Sequence, residues 1–309
     1  MEENNNTQTK KLIGVEVKHS EMNAVWLEGN GNVRDTLKSP MLIGEDTAPQ
    51  LINFINKTRE RFDDFDKLGI AVPGLYNRLT NKIAYSKYIP EHAEIDLLEE
   101  VEKVTKLNIL IENDANAAAY GEFILGAGRG SNDMFYVTLG AGIGGALIFD
   151  KKLWYGANGF AGEFGQIIIN SEGMRLEDIA STANIIRRAR GWFRKDATSS
   201  LNAIGEENIT IADIVREANR EDDFSQMMLE RTGTYVGAAI AGVINLLNIE
   251  KIVVGGEIMQ AGHLVLDAII HRARELSFAP SFKTVEIVSG KFGENASAIG
   301  VALLSDAEL

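Results

Sequence analysis

The sequence predicts a mixed α/β protein of two domains that share a cleft, and three observations carry the prediction. Apolar, strand-like runs alternate with helical stretches, the order expected of sheets with helices packed on them. Each half of the chain begins with a glycine-containing hairpin, which suggests a duplicated architecture hinged about a cleft. At 309 residues with 45% hydrophobic content, the chain is long enough to bury two cores.

The opening MEENNNTQTKK is polar and lacks the apolar segment of a signal peptide, so residues 1–10 predict a short disordered tail. Beyond it, Ile13, Val15 and Val17 alternate with polar positions, as do Met22, Ala24 and Trp26, with a tight turn at Lys18 to Glu21 between them. A third strand after the turn Asn30-Gly31-Asn32 completes an antiparallel meander. A helix from about Thr47, with Pro49 near its first turn and Leu51, Phe54 and Ile55 inside, leads into the strand LGIAVPG. An acidic helix from Asp96 to Lys106, burying Leu97, Val101 and Val104, then returns the chain to a strand ending at Asn113. Residues 11–113 read as the smaller domain and 114–309 as the larger, with the closing helix, 296–304, in reach of the smaller.

Downstream of the second hairpin lies a polar loop, ANGFAGEFGQ, able to point several side chains into a cleft. Helices are predicted at 176–190, at 211–219 with Thr210 as its cap, and over 223–247. In the last of these Gly233, Gly237, Ala241 and Val243 suit close helix packing. A strand at 252–257, a helix at 261–276 and the strand VEIVS precede the closing helix.

Composition excludes several functions. A net charge of -13 argues against a nucleic-acid surface, which needs clustered Lys and Arg. The longest apolar run, near 236–249, is interrupted by Asn245 and Asn248 and is too short to span a bilayer comfortably. With no cysteine there is neither a disulfide nor a thiolate metal site. These features predict a soluble cytoplasmic protein.

Two stretches carry chemistry. In IENDANAAAYGE, from Ile111 to Glu122, β-formers end in Glu112, Asn113 and Asp114 and break into an Ala-rich helical run. That reads as a buried strand delivering a carboxylate to its tip, with Asn113 and Asp114 also able to cap the helix. In VTLGAGIGGALIFD, from Val137 to Asp150, four glycines between apolar runs read as a hairpin whose backbone approaches a phosphate closely. An acid and a phosphate cradle point to phosphoryl transfer.

ENDANAAAYGE, GAGRG, VTLGAGIGGALI, GANGFAGEFG and VVGGE, in this order, resemble the ROK family of bacterial sugar kinases, open reading frames and repressors, over about Lys11 to Leu304. The resemblance implies the actin-like ATPase, hexokinase-type fold: two α/β domains with an interdomain cleft. It places Asp114 on the catalytic base, which accepts the proton of the attacking sugar hydroxyl; helix capping alone is the competing reading. It also implies Asn113 and Glu163 as sugar ligands and Glu177 as the second glutamate, a position equally open to an ordinary first-turn helix acid. Pro73 and Gly74 match the tight turn beside the sugar. Thr138, Gly140, Gly142, Gly144 and Gly145 match the second phosphate loop, with Ala141 where kinases usually carry Thr. Gly255 and Gly256 match the adenosine motif. ATP and Mg²⁺ are the implied cofactors, and a homodimer the implied assembly.

Two departures qualify these expectations. Kinases of the family carry an acidic residue followed by Gly-Gly-Thr-Lys in the first hairpin, whereas Glu16, Val17, Lys18, His19, Ser20 and Glu21 stand here. Lys18 is either a point-charge contact to a phosphate or part of a solvated turn. The family's structural zinc has also lost its ligands: Gln166 replaces a His, which leaves it a hydrogen bond to the sugar, and the Cys-rich loop is the cysteine-free IIINSEGMRL. His19, His92, His263 and His271 lack ligand spacing, so no metal site is expected in the protein. Two functions follow: an ATP-dependent hexose kinase acting on glucose or an N-acetylhexosamine-like sugar, and a sugar-binding sensor of the same fold without turnover. A DNA-binding repressor is a weaker third reading, since the segment before the first strand is too short for a winged helix.

Overall fold

The computed structural model describes residues 10–42, 44–80, 82–86, 96–192 and 198–309; most of the expected tail, residues 1–9, and His92 lie outside them. The chain forms two compact units. One comprises the residues up to Leu125 with Tyr155–Phe160 and Asn295–Leu309, and the other Gly126–Trp154 with Ala161–Glu294.

The first unit opens with the expected meander, β1 (Lys11–Val17), β2 (Glu21–Glu28) and β3 (Val33–Pro40). The amide of Lys18 donates to the carbonyl of Glu21 at 2.8 Å and closes the β1–β2 turn. Helix α1 (Thr47–Phe62) leads to β4 (Lys67–Val72), followed by the small ribbon β5 (Leu75–Asn77) and β6 (Lys82–Tyr85). Then come α2 (Leu97–Thr105), β7 (Asn108–Asn113) and α3 (Asp114–Ile124). The sheet order is β3-β2-β1-β4-β7, with β1, β4 and β7 parallel. The register sets Glu16 beside Ala71 and Ala71 beside Glu112, so the ends of β1 and β7 flank that of β4.

One expectation about α2 fails: Val104 is 59% exposed. The buried face runs Leu97, Val101, Thr105, a strict four-residue spacing that turns Val104 outward.

In the second unit, β8 (Met134–Leu139), β9 (Ile143–Phe149) and β10 (Lys152–Trp154) form another antiparallel meander. The single helix expected at 176–190 is two, α4 (Glu177–Ala180) and α5 (Thr182–Trp192). The break is at Ser181, whose backbone is extended (φ -74°, ψ 156°), while the next amide, of Thr182, leaves the helical pattern to donate to the carbonyl of Gly140 at 2.9 Å. Helix α6 (Ile211–Ala218) begins in a capping box between Thr210 and Asp213. Then follow α7 (Asp223–Leu247), β11 (Lys251–Gly255), α8 (His263–Leu276), α9 (Ala279–Phe282) and β12 (Glu286–Ser289). The order β10-β9-β8-β11-β12 repeats that of the first sheet strand for strand, an antiparallel meander continued by two parallel strands. The duplication inferred from the two hairpins is therefore a duplication of topology.

The closing helix, α10 (Ala296–Glu308), belongs to the first unit. It lies so close to α3 that a Cβ on Gly300 would sit 1.7 Å from the carbonyl oxygen of Ala117, so no other residue fits there. This contact keeps α3 with the first unit, where the sequence reading began the larger domain at residue 114. No described helix is long and apolar enough to cross a membrane.

Candidate functional site

The residues singled out in the sequence fall into two groups, one in each unit. In the first, β7 ends at Asn113 and α3 begins at Asp114. Asn113 is the N-cap: its Oδ1 accepts from the amides of Ala115 and Asn116 at 2.9 and 3.0 Å. Its Nδ2 donates to the carbonyl of Gly74 at 2.8 Å and to Oδ1 of Asp114 at 3.1 Å. The turn after Pro73 thus touches the acid-bearing tip through one amide group. Gly74 itself has φ +117°, and a Cβ there would meet the carbonyl of Tyr85 at 2.3 Å.

The Asp114 carboxylate takes the Ala115 amide at 2.9 Å, yet its pKa is raised to about 6. Burial dominates, and the backbone amides, Lys18 and Asn113 only partly offset it. Asp114 therefore satisfies one amide of the helix that Asn113 caps, and its pKa lies close to neutrality.

The first hairpin adds charges whose burial the sequence did not show. Glu16, at the end of β1, is 7% exposed, and its pKa is pushed up to about 7 by burial, with Asp114 adding to the effect and Lys18 and the Ser297 hydroxyl opposing it. Lys18 Nζ stands 3.4 Å from Glu16 Oε2 and 3.5 Å from Glu21 Oε1. Burial works to lower the Lys18 pKa, but these two carboxylates outweigh it and raise the value. None of residues 18–20 has a positive φ, so the turn does not use the glycine conformations.

Glu112, Arg78 and Tyr155 form a further network. Glu112 is only 1% exposed; its Oε1 accepts from the Asn113 amide at 2.8 Å and from Asn116 Nδ2 at 3.0 Å. Its Oε2 takes Nη1 of Arg78 at 2.7 Å. Arg78 also donates to the Tyr155 hydroxyl at 2.7 Å and to Glu308 at 2.9 Å, with its guanidinium 4.1 Å from the Tyr155 ring. The one signal in the sequence was Glu112 itself, an acid at the end of an apolar strand that needs a cation.

The second unit carries the glycine hairpin. Thr138 pairs with Gly144 and Val137 with Gly145, and the Gly140 amide donates to the Gly142 carbonyl at 3.0 Å. A Cβ on Gly140 would meet nothing nearer than Glu257 at 3.6 Å, so packing does not require glycine there. Gly256, by contrast, has φ +95°, and a Cβ would lie 2.3 Å from the Leu139 carbonyl, which fixes the end of β11 against β8. Gly255 precedes it at the end of β11. The Glu257 carboxylate, just beyond, accepts from the Thr182 hydroxyl at 2.7 Å.

Glu177 opens α4, and its Oε2 accepts from the Ile143 amide at 3.1 Å, which ties the helix to the start of β9. Glu163 precedes the short turn Phe164–Gln166, and Gln166 Oε1 accepts from Arg175 at 2.9 Å. Among the described residues no three His, Cys, Asp or Glu side chains cluster as metal ligands would.

The ROK family model matches residues 12–308. The chain is 29% identical to the glucokinase of Halalkalibacterium halodurans over 306 residues, covering 93% of this chain and 92% of that protein. Among solved structures, a ROK family glucokinase from Streptomyces griseus, in complex with glucose and AMPPNP, matches with a TM-score of 0.86 and 26% identity, over 96% of this chain and 100% of that one. A ROK family transcriptional regulator, homologous to the E. coli MLC protein, matches with a TM-score of 0.83 and 26% identity, over 96% and 78%. Kinases and regulators are thus both similar to this chain over nearly its whole length.

Proposed function

The chain belongs to the ROK family and has its actin-like ATPase fold; from that premise we propose that it is an ATP-dependent hexose kinase with Asp114 as general base. The observation that carries this is the state of Asp114. Its carboxylate is fixed at a helix start by Asn113 and the Ala115 amide, and its pKa of about 6 leaves it ionised, yet basic, at neutral pH. In the proposed reaction a sugar hydroxyl gives its proton to Asp114 as its oxygen bonds to the γ-phosphorus of ATP; the bond to the β-phosphate oxygen breaks, and ADP leaves.

Asn113, Glu163, Gln166 and Glu177 are the proposed sugar ligands, with Pro73 and Gly74 fixing the turn beside them. The nucleotide's phosphates are assigned to Thr138, Gly140, Gly142, Gly144 and Gly145, and its nucleoside to Gly255 and Gly256; the open backbone at Gly140 fits this assignment. Mg²⁺, when bound, neutralises phosphoryl charge. It needs no protein cage of its own if it arrives with the phosphates.

A second reading, a sugar sensor without turnover, is favoured by one observation. Lys18, in place of a loop glycine, is already engaged by Glu16 and Glu21. Coupled ADP release measured over a panel of hexoses and N-acetylhexosamines, with calorimetry on the same samples, separates the two. The kinase reading expects saturable ADP formation with at least one sugar. Sugar binding with no ADP from any of them would support the sensor and overturn the kinase.

A further inference from the structure

One concentration of positive charge in the second unit has no carboxylate partner among the described residues. Arg187 and Arg188 are consecutive on α5, and Arg231 lies on α7. Arg188 donates from Nη2 to the Thr232 hydroxyl at 2.9 Å, and that hydroxyl donates its own proton to the Met228 carbonyl at 2.8 Å. Nε and Nη1 of Arg188 are shut off from solvent and have no acceptor among the described residues. Arg231 reaches the Tyr235 hydroxyl at 3.3 Å, with its guanidinium 5.9 Å from the ring, and Arg187 reaches the side-chain oxygen of Asn184 at 2.8 Å. Among the described residues none of these three makes an ion pair, whereas Arg190, on the same helix, lies 3.6 Å from Glu207.

These groups converge. The bond to Thr232 sets the Arg188 guanidinium against α7 beside Arg231, which in turn reaches Tyr235; burial lowers the Arg188 pKa, the charges of Arg231 and Arg187 lower it further, and Tyr235 acts the other way. In a chain of net charge -13 acids are plentiful, yet among the described residues none offsets the charge of Arg188. A guanidinium with two buried, unsatisfied donors and cationic neighbours is unfavourable unless an anion completes it.

We propose that Arg188, Arg231 and Tyr235 form a binding site for a tetrahedral phosphate oxyanion, either inorganic phosphate or a phosphomonoester. Two or three guanidinium groups match a dianion in charge, and their planar N–H pairs match its oxygens. A carboxylate would leave positive charge over. The site stands on its own residues and does not depend on the phosphoryl-transfer reading.

The test is calorimetry and thermal melting of wild type, Arg188→Met and Arg231→Met with inorganic phosphate, glycerol phosphate and acetate, against sodium chloride at matched ionic strength. The expected result is saturable binding of at least one phosphate probe, weakened tenfold or more in each variant. In chloride, Arg188→Met should melt no lower than wild type, because the uncompensated buried charge is gone while Thr232 keeps its bond to Met228. Phosphate binding that survives unchanged in Arg188→Met belongs to the glycine hairpin and overturns the proposal. So does binding of acetate in preference to phosphate, or a phosphate response of wild type no larger than that to chloride. Whichever of inorganic phosphate and glycerol phosphate binds more tightly identifies the source of the oxyanion.

Discussion

Asp114 and Glu16 are two acids that the fold makes weak, and both have consequences in pH. Asp114 acts as a base only when ionised, so log kcat/KM should climb as pH rises toward about 6 and level off above it. A profile flat from pH 5 to 8 would contradict that role. Stability moves the opposite way. A carboxyl whose folded pKa lies above its unfolded value holds its proton more tightly in the native state, so its contribution is full below the unfolded pKa and is lost as pH rises through the folded one. For Glu16 that window runs from 4.5 to about 7, and for Asp114 from 3.8 to about 6. Replacing Glu16 by Gln removes one of these penalties, and should raise stability at pH 8 by ~1–3 kcal/mol while flattening its decline between pH 4.5 and 7. Urea unfolding at pH 5 and pH 8 measures both; a variant less stable than wild type at pH 8 would refute the account of Glu16. The position of Asp114 was legible in the sequence because a strand's end and a helix's start are both local signals. The burial of Glu16 was not, since it depends on α10 and Ser297 at the far end of the chain.

At the scale of elements, the helix start at Asp114 is held from behind by Arg78 through Glu112. Arg78→Met and Glu112→Gln should each lower kcat by about tenfold or more, and the double variant should be little worse than either single, since both break one connection. Independent, multiplying losses would mean that the two residues act separately. The first hairpin makes a separate prediction. If Lys18 contributes to phosphoryl transfer, Lys18→Met should raise KM for ATP several-fold and leave sugar affinity unchanged, as steady-state kinetics beside sugar calorimetry would show. Unchanged ATP kinetics would assign Lys18 to the hairpin's own charge balance. Local signals placed α6 and α7 well, because Thr210 and the small residues of α7 state their roles within a few residues. They failed at Ser181, where the helix is broken by a bond from Thr182 to a carbonyl in another element, and at Val104, where helical spacing admits two faces.

Over the whole molecule, the repeated sheet was the most legible feature, because the first meander shows itself by alternation, the second hairpin by glycines between two apolar runs, and parallel strands such as LGIAV and IVVG by continuous apolar runs. The allocation of α3 to the same unit as α10 was not, since the two helices meet at a close backbone contact at Gly300 that no local pattern reveals. Glycine motifs located the second hairpin, to which we assign the phosphates, but they do not distinguish kinases from regulators, which match this chain about equally well. That distinction rests on Asp114. The most direct measurement compares ADP release by wild type and Asp114→Asn at pH 8, with a sugar shown by calorimetry to bind both. General-base catalysis predicts a fall in kcat of ~10²–10⁴-fold in the variant with sugar affinity kept. Equal rates in the two proteins would contradict it.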